Sequence, residues 1–512
     1  MGQRRLALAR KPVEAHAVVA AGLGASLRSR TSRGRAQSRR VLGLSLNGVR
    51  EHWQLCALLT IGAVIRTLTM VAYTPALFFS DSWGYLSYAY PRVSVVSLPW
   101  LRPIGYSLLI KLFAFPFRSM TQLVGVQHVC GLLIGSGVYS TLERLRVPRW
   151  AAAAASALVL LDGYAITLEQ YVMADIFFSA TLFAALLLLV VPVKPRHQVR
   201  RAVLVGLLLA FGALQREVGV LVLPVPIIYL IWARAGWRPV LALILAAAIP
   251  LTTYAALVDL KYKQFGLTAA SGWVEYGRVA GVAECAGVSL PAAAKPLCET
   301  AKQRRSHPDG PDWYIWGPSP AVRLFDPAKA TLAERTKDDA VLKEFAQRIA
   351  AHEPWNVLEA TLDDFARFFR PTAATYQDSH SATSLPRRAA AEVVDTSVAR
   401  SVLPGLRLSV RSPAGFVTAY RSAIHVPRPV LALLAIIGIC GIVLRVPSRR
   451  EVFLFVGSGL LLLLGTAATG GFSIRYLVPA IPLLAIGGTL ASVQLWAQLY
   501  PGFAKRIRSH RR

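Results

Sequence analysis

Ten apolar stretches mark the chain, at 54–73, 122–140, 150–167, 173–193, 202–214, 218–233, 239–257, 429–445, 451–469 and 476–496. An α-helix rises about 1.5 Å per residue, so about 20 mostly apolar residues cross the hydrocarbon of a bilayer, with shorter spans tolerated where neighbours bury them. The pattern predicts an all-α polytopic membrane protein of about ten transmembrane helices. Two regions interrupt it, 74–121 and 258–428. The second alternates charged helical patterns, such as AERTKDDAVLKEFAQRI and NVLEATLDDFARFFRP, with Gly/Pro-rich stretches such as HPDGPDWYIWGPSP. It is too long for an ordinary loop and too charged for a span. We expect a mainly helical insertion facing water.

Charge in the connections orients the spans. ERLRVPR, KPRHQVRR, WARAGWRP and RVPSRR, at 142–149, 194–201, 232–239 and 445–450, are basic and belong on the cytoplasmic side. That assignment decides the segment RPIGYSLLIKLFAFPF at 102–117. If it spanned the bilayer, every later basic connection would move outside; as an outer interfacial helix, with Lys111 reaching the headgroups, it leaves them inside. The stretch 202–233 is basic at both ends, so two short spans with an outer turn near LQREVG are expected there. Segment 1–53 and the tail 497–512 become cytoplasmic, whereas the loop 74–121 and insertion 258–428 lie outside between core segments 54–257 and 429–496.

Composition agrees. The chain is 54% hydrophobic and 16% charged, against roughly 25% charged for soluble domains. Its net charge of +30 raises the question of nucleic acid, but eleven Arg and Lys fall within residues 1–50 and another group in the terminal KRIRSHRR, both flanking hydrophobic helices. Contact with membrane lipid on the cytoplasmic side explains them, and no base-reading or stacking pattern accompanies them. The long basic start and the lack of a small-residue cleavage pattern favour retention of the first apolar stretch as a span. Cys56, Cys130 and Cys440 fall in spans as packing residues; Cys285 and Cys298, both in the outer insertion, are disulfide candidates.

Ionisable residues beside outer span ends are the candidate chemistry. Asp81, within FFSDSWGYLSYAY, is either a desolvated general base or an acid serving its loop or a helix N-terminus. Nearby Trp83, Tyr85, Tyr88 and Tyr90 suit either stacking on a sugar or prenyl chain or an aromatic belt. Asp162, Glu169 and Asp175 surround the turn after the third stretch, where acids orient hydroxyls, bind a divalent cation or cap helices. Arg216 with Glu217 forms either a phosphate clamp or an interhelical salt bridge. Arg475 with Tyr476 suits a phosphate clamp or a snorkelling pair, and Arg102, before Pro103, is a further outward cation.

FFSDSWGYLSYA followed by RPIGYSLLIKLF, the LEQYVMADIFF and GALQREVG turns, and SIRYLVPAIPLL together resemble the GT-C class of polyprenyl-phosphate-dependent membrane glycosyltransferases. The resemblance runs over most of 54–257 and 429–496 and looks particularly like the bacterial branches related to protein mannosyltransferases and lipid A aminoarabinose transferases, and like actinobacterial envelope glycosyltransferases. It implies a GT-C-like bundle with outer interfacial helices. It implies Asp81 as the base, Arg216, Arg475 and Arg102 as ligands of the donor phosphate, and Glu169, Asp175, Glu217, Tyr476, Trp83 and Tyr85 as residues shaping the site. The implied partners are a polyprenyl-phosphate sugar and an extracytoplasmic glycan, lipid or protein acceptor. The chain departs from the family pattern where a paired acidic signature is reduced to a single Asp and a Tyr-Pro-Pro run to Arg102–Pro103. No cofactor is specified; a divalent cation on Asp81 and Glu169 is the open alternative. Ala- and Arg-rich composition suggests an actinobacterial cell wall setting. A lipid or glycan transporter, flippase, or non-catalytic assembly scaffold is the competing class.

Overall fold

The computed structural model describes residues 50–90, 98–114, 118–308, 310–327, 329–371, 403 and 405–500. Most of the basic N-terminal segment, the basic tail after residue 500 and residues 372–402 of the insertion lie outside the described residues. The chain divides into Met1–Ala57 and Leu58–Arg512, and the site described below lies in the second unit.

Among the described residues, six helices are long and apolar enough to cross a membrane: Trp53–Ala72, Met120–Arg144, Pro195–Gln215, Trp237–Tyr262, Arg449–Thr469 and Ile481–Leu499. Counting each of two bent pairs as one span brings the number to eight. Arg149–Leu160 meets Gly163–Glu169 at 50°, and Pro413–Ala423 meets Arg428–Val443 at 43°. Asp175–Val190 and Gly219–Trp232 are apolar but shorter. Each expected stretch therefore carries a helical segment, but hydropathy conceals the bends and the short lengths. The first bend follows from chemistry: Asp162 ends one helix and caps the next, accepting from the Ala165 amide at 2.6 Å. In the second, Pro427 and Pro429 flank the start of Arg428–Val443 and prevent an unbroken helix.

Large apolar side chains remain exposed along the spans, among them Leu133, Leu241, Ile249, Leu433 and Ile436. In water each would cost roughly 25 cal/mol per Å² of exposed apolar area; hydrocarbon removes that cost. The protein is a multi-pass membrane protein.

The segment beginning at Arg102 forms the helix Gly105–Phe113. Nine residues reach only about 14 Å, too short to span. Tyr106 and Ile110 are buried while Leu108, Lys111 and Leu112 are exposed, the division expected of a helix lying at an interface. Gly105 permits its docking, because a Cβ there would stand 2.5 Å from the Leu214 carbonyl oxygen. The helix Gln198–Gln215 stops at Arg216, whose backbone is extended, so the expected turn is present, but only the segment after it, Gly219–Trp232, is short; Pro195–Gln215 is long enough to cross a membrane.

The insertion is mainly helical, with Ser271–Ala280, Leu332–His352 and Pro354–Arg367 its longest helices before residue 372. Trp273, Tyr276, Tyr314, Phe345 and Ile349 pack with Trp100, Tyr254 and Tyr262, joining it to the first outer loop and the end of Trp237–Tyr262. Asp339 caps across helices, accepting from the Gly272 and Trp273 amides at 3.1 and 3.0 Å. Cys285 and Cys298 are disulfide-bonded. Within the all-α bundle, Tyr73–Thr74 pairs antiparallel with Ser409–Val410, tying the end of the first span to the later part of the insertion.

Candidate active site

Asp81 sits in the first turn of the helix Ser80–Ala89, whose start is pinned from two sides. The Ser82 hydroxyl accepts from the Phe79 amide at 2.8 Å and donates to the Val172 carbonyl at 2.8 Å. Leu77 exchanges backbone hydrogen bonds with Gln170 and Val172 at 2.9 and 3.0 Å. Capping thus falls to Ser82, leaving the Asp81 carboxylate for other partners.

Those partners are arginines. Arg102 Nη2 donates to Oδ1 and Oδ2 of Asp81 at 3.0 and 3.2 Å, and Arg475 Nη1 donates to Oδ2 at 3.3 Å. Arg475 Nη2 also donates to the Tyr476 hydroxyl at 3.2 Å. Burial by itself would raise the Asp81 pKa, but Arg102 and Arg475, helped by Arg216, outweigh it and hold the carboxyl at about 2. Burial pushes the Tyr85 phenol up to about 12, so it stays a proton donor.

Arg216 pairs with Asp175 at the start of Asp175–Val190, and its guanidinium lies 4.9 Å from the Tyr476 ring centre. The Arg475 guanidinium lies 5.0 Å from the same centre and 5.2 Å from that of Phe79. Arg102, Arg216 and Arg475 therefore converge from three separated stretches. Nε of Arg102, Nε of Arg475 and Oδ2 of Asp175 are buried without a hydrogen-bond partner among the described residues. Such unmet polar groups are costly in a finished core and expected in a site built to receive a polar ligand.

Two cavities adjoin this cluster. One of about 180 Å³ is lined by Asp81, Tyr85, Tyr88, Arg102 and Trp316. The other, about 350 Å³, is lined by Arg102, Arg216, Glu217, Arg475 and Tyr476, with Tyr85 and Trp316 again on its wall. Arg102 thus borders both. Ser271, Glu275, Asp312 and Trp316 reach the larger cavity from the insertion, to which sequence reasoning gave no site residue. The aromatic run around Trp313 and Trp316 was the available signal.

Two expected site residues lie elsewhere. Glu169 is bound by Arg66 at 2.7 and 2.8 Å and by His128 at 2.7 Å, a buried network joining Trp53–Ala72, Met120–Arg144 and the bent segment. Neither cavity is lined by it. Trp83 stacks on Phe78 at 4.9 Å inside an apolar cluster and lines neither cavity. The side chains also do not fit the suggested cation: Asp81 and Glu169 each face arginine, and among the described residues no three His, Cys, Asp or Glu side chains converge as a metal site.

Fold and site together describe a membrane-embedded helical bundle with an arginine-rich polar site under a helical insertion. Residues 101–258 match the family described as dolichyl-phosphate-mannose-protein mannosyltransferase, a segment that holds Arg102, Asp175, Arg216 and Glu217 but neither Asp81 nor Arg475. Among solved structures the chain is similar to the oligosaccharyltransferase AglB of Archaeoglobus fulgidus, with 15% identity over 89% of this chain and 52% of that one, at a TM-score of 0.38. It is also similar to ArnT of Cupriavidus metallidurans, with 14% identity over 88% and 80% and a TM-score of 0.32. The chain spans about half the length of the archaeal enzyme. No curated protein matches it.

Proposed function

We propose that this protein transfers a monosaccharide from a polyprenyl-phosphate donor to a cell-envelope glycan, lipid or protein acceptor on the non-cytoplasmic face. The observation carrying this reading is the shared use of Arg102 and Arg475, which hold the Asp81 carboxylate while bordering a cavity that also holds Arg216. The family matched over 101–258 takes its name from a dolichyl-phosphate sugar donor, consistent with a phosphate in that cavity. The basic charge of the other connections supports reading this end of the bundle as the outer one.

The larger cavity receives the donor phosphate among the three guanidiniums, and the smaller receives the acceptor beside Asp81. Phosphate and carboxylate then compete for Arg102 and Arg475. As the guanidiniums turn to the phosphate, their hold on Asp81 weakens and its proton affinity rises from the donor-free value of about 2. The base becomes competent only when a donor is present. The acceptor hydroxyl oxygen attacks the anomeric carbon, the bond from that carbon to the phosphate oxygen breaks, and the electron pair leaves with the phosphate. Asp81 takes the hydroxyl proton. The three arginines stabilise charge that grows on the leaving phosphate. A single displacement inverts the anomeric configuration.

The test is transfer of radiolabelled sugar from a panel of polyprenyl-phosphate sugars by purified protein in lipid with native membrane acceptors, comparing wild type with Asp81→Asn. Transfer by wild type that vanishes in a folded variant supports both class and base. Survival of transfer in the variant moves the base elsewhere, and absence of transfer from every donor favours the transporter or scaffold class.

A further inference from the structure

A third cavity, about 570 Å³, lies where the two helix breaks meet, and it shares no lining residue with the two already described. The Gly163 amide donates to the Ile424 carbonyl at 2.8 Å and the Val426 amide to Asp162 Oδ2 at 2.7 Å, joining the two bends. Each helix bends at the junction, and among the described residues the space between them forms the cavity.

Its lining has two chemistries. Arg421 and Arg428, half-buried, and exposed His425 line it together with buried Leu431, Leu477 and Ile481, which form its apolar floor. The Arg421 guanidinium is placed 5.1 Å from the Tyr164 ring centre and that of Arg428 5.4 Å from the Phe472 ring centre. Asp162 is the acid in the lining, and its two oxygens already accept backbone amides, Ala165 at 2.6 Å and Val426 at 2.7 Å. Arginine charge therefore outweighs acid in the lining.

We infer that this cavity binds an anionic membrane phospholipid, its phosphate at Arg421 and Arg428 and its acyl chain along Leu431, Leu477 and Ile481. Charge complementarity selects the headgroup. The position of the cavity, at the ends of Arg428–Val443 and Ile481–Leu499, lets the chain follow the helices into hydrocarbon. A soluble anion would leave the apolar floor unused. The site goes beyond the transferase reading and does not depend on it. It also has a consequence for that site: the 3-10 turn Ile474–Leu477 carries Arg475 towards Asp81 while Ile474 and Leu477 line the lipid cavity, so an occupant supports the turn from behind.

The experiment offers delipidated full-length protein phosphatidylglycerol or phosphatidylcholine of identical acyl chains and counts retained lipid by native mass spectrometry. Wild type should retain phosphatidylglycerol preferentially, and Arg421→Gln or Arg428→Gln should each lower its retention about fivefold, the worth of one cation near a membrane surface. Phosphatidylcholine retention should not change. Equal retention of both lipids by wild type overturns the inference, as do folded variants that retain phosphatidylglycerol like wild type. Displacement of the lipid by inorganic phosphate overturns the lipid source in favour of a soluble anion. Arg428 also donates to the Arg367 carbonyl at 3.3 Å, so Arg421→Gln is the cleaner variant. The wild-type lipid preference decides the matter even if neither variant folds.

Discussion

Arg102 reaches both carboxylate oxygens of Asp81 with a single nitrogen, Nη2, at 3.0 and 3.2 Å, and its Nε is buried without a partner among the described residues. A guanidinium so placed has further donors for a phosphate while it still touches the carboxylate. Lysine keeps the charge but offers one compact ammonium instead of a planar fork. Arg102→Lys should therefore fold and bind donor, yet lose about a hundredfold in sugar transfer, comparable to removing one oriented donor from a developing anion. Asp81→Asn should lose about 10²–10⁴. Steady-state transfer rates on protein matched for thermal stability check both.

The pH dependence separates the donor-gated base from a permanently free one. In donor-free protein Asp81 is depressed from 3.8 to about 2, so it is ionised throughout any practical assay range. In the proposed mechanism donor binding draws the arginines away and raises it. Since kcat reports the bound complex and kcat/KM the free enzyme, the acid limb of kcat should fall at higher pH than the acid limb of kcat/KM for donor, measured at saturating acceptor. Coincident limbs would mean that Asp81 keeps its arginines throughout the reaction.

Arg216 and Asp175 form the second arginine–carboxylate pair beside the larger cavity. Arg216 makes no hydrogen bond to Asp81 like those of Arg102 and Arg475; held instead by Asp175, it serves the donor phosphate in the proposed mechanism. Arg216→Gln should raise donor KM and lower kcat together, because charge on the phosphate is present in the ground state and grows during bond breaking. Asp175→Asn should have the smaller effect, since it leaves the guanidinium in place but loosens its orientation. Kinetics over a donor concentration series distinguish the two patterns.

Much of this was legible in the chain and some was not, for identifiable reasons. Hydropathy located the helical segments because burial in lipid acts on every residue of a span. The breaks at Asp162 and Arg216 depend on single caps and turns, which averaging over about 20 residues hides. Asp81, Arg102, Arg216 and Arg475 could be singled out because charges beside span ends are few. Their pairing could not, as Asp81 and Arg475 are 394 positions apart. Glu169 was drawn into the expected site by its place at the turn after the third stretch and by the family resemblance. Its partners, Arg66 and His128, lie within apolar stretches, 103 and 41 positions away, and no local pattern announces them.

That network yields a prediction of the opposite kind, a loss of stability without a loss of chemistry. Glu169 receives Arg66 Nε and Nη2 and His128 Nδ1, while Arg66 Nη1 donates to the Leu160 carbonyl at 2.8 Å and His128 Nε2 lies 2.9 Å from Gln170 Oε1. Removing one charge leaves the Arg66 guanidinium buried and uncompensated, so Glu169→Gln should destabilise by about 3–5 kcal/mol. Gly131→Ala should act on the same point by crowding, because a Cβ there would lie 2.0 Å from Glu169 Oε1. Both variants should unfold at lower temperature than wild type in detergent, yet the fraction that remains folded should transfer sugar with near wild-type donor KM. A raised donor KM at unchanged thermal stability would instead return Glu169 to the binding site.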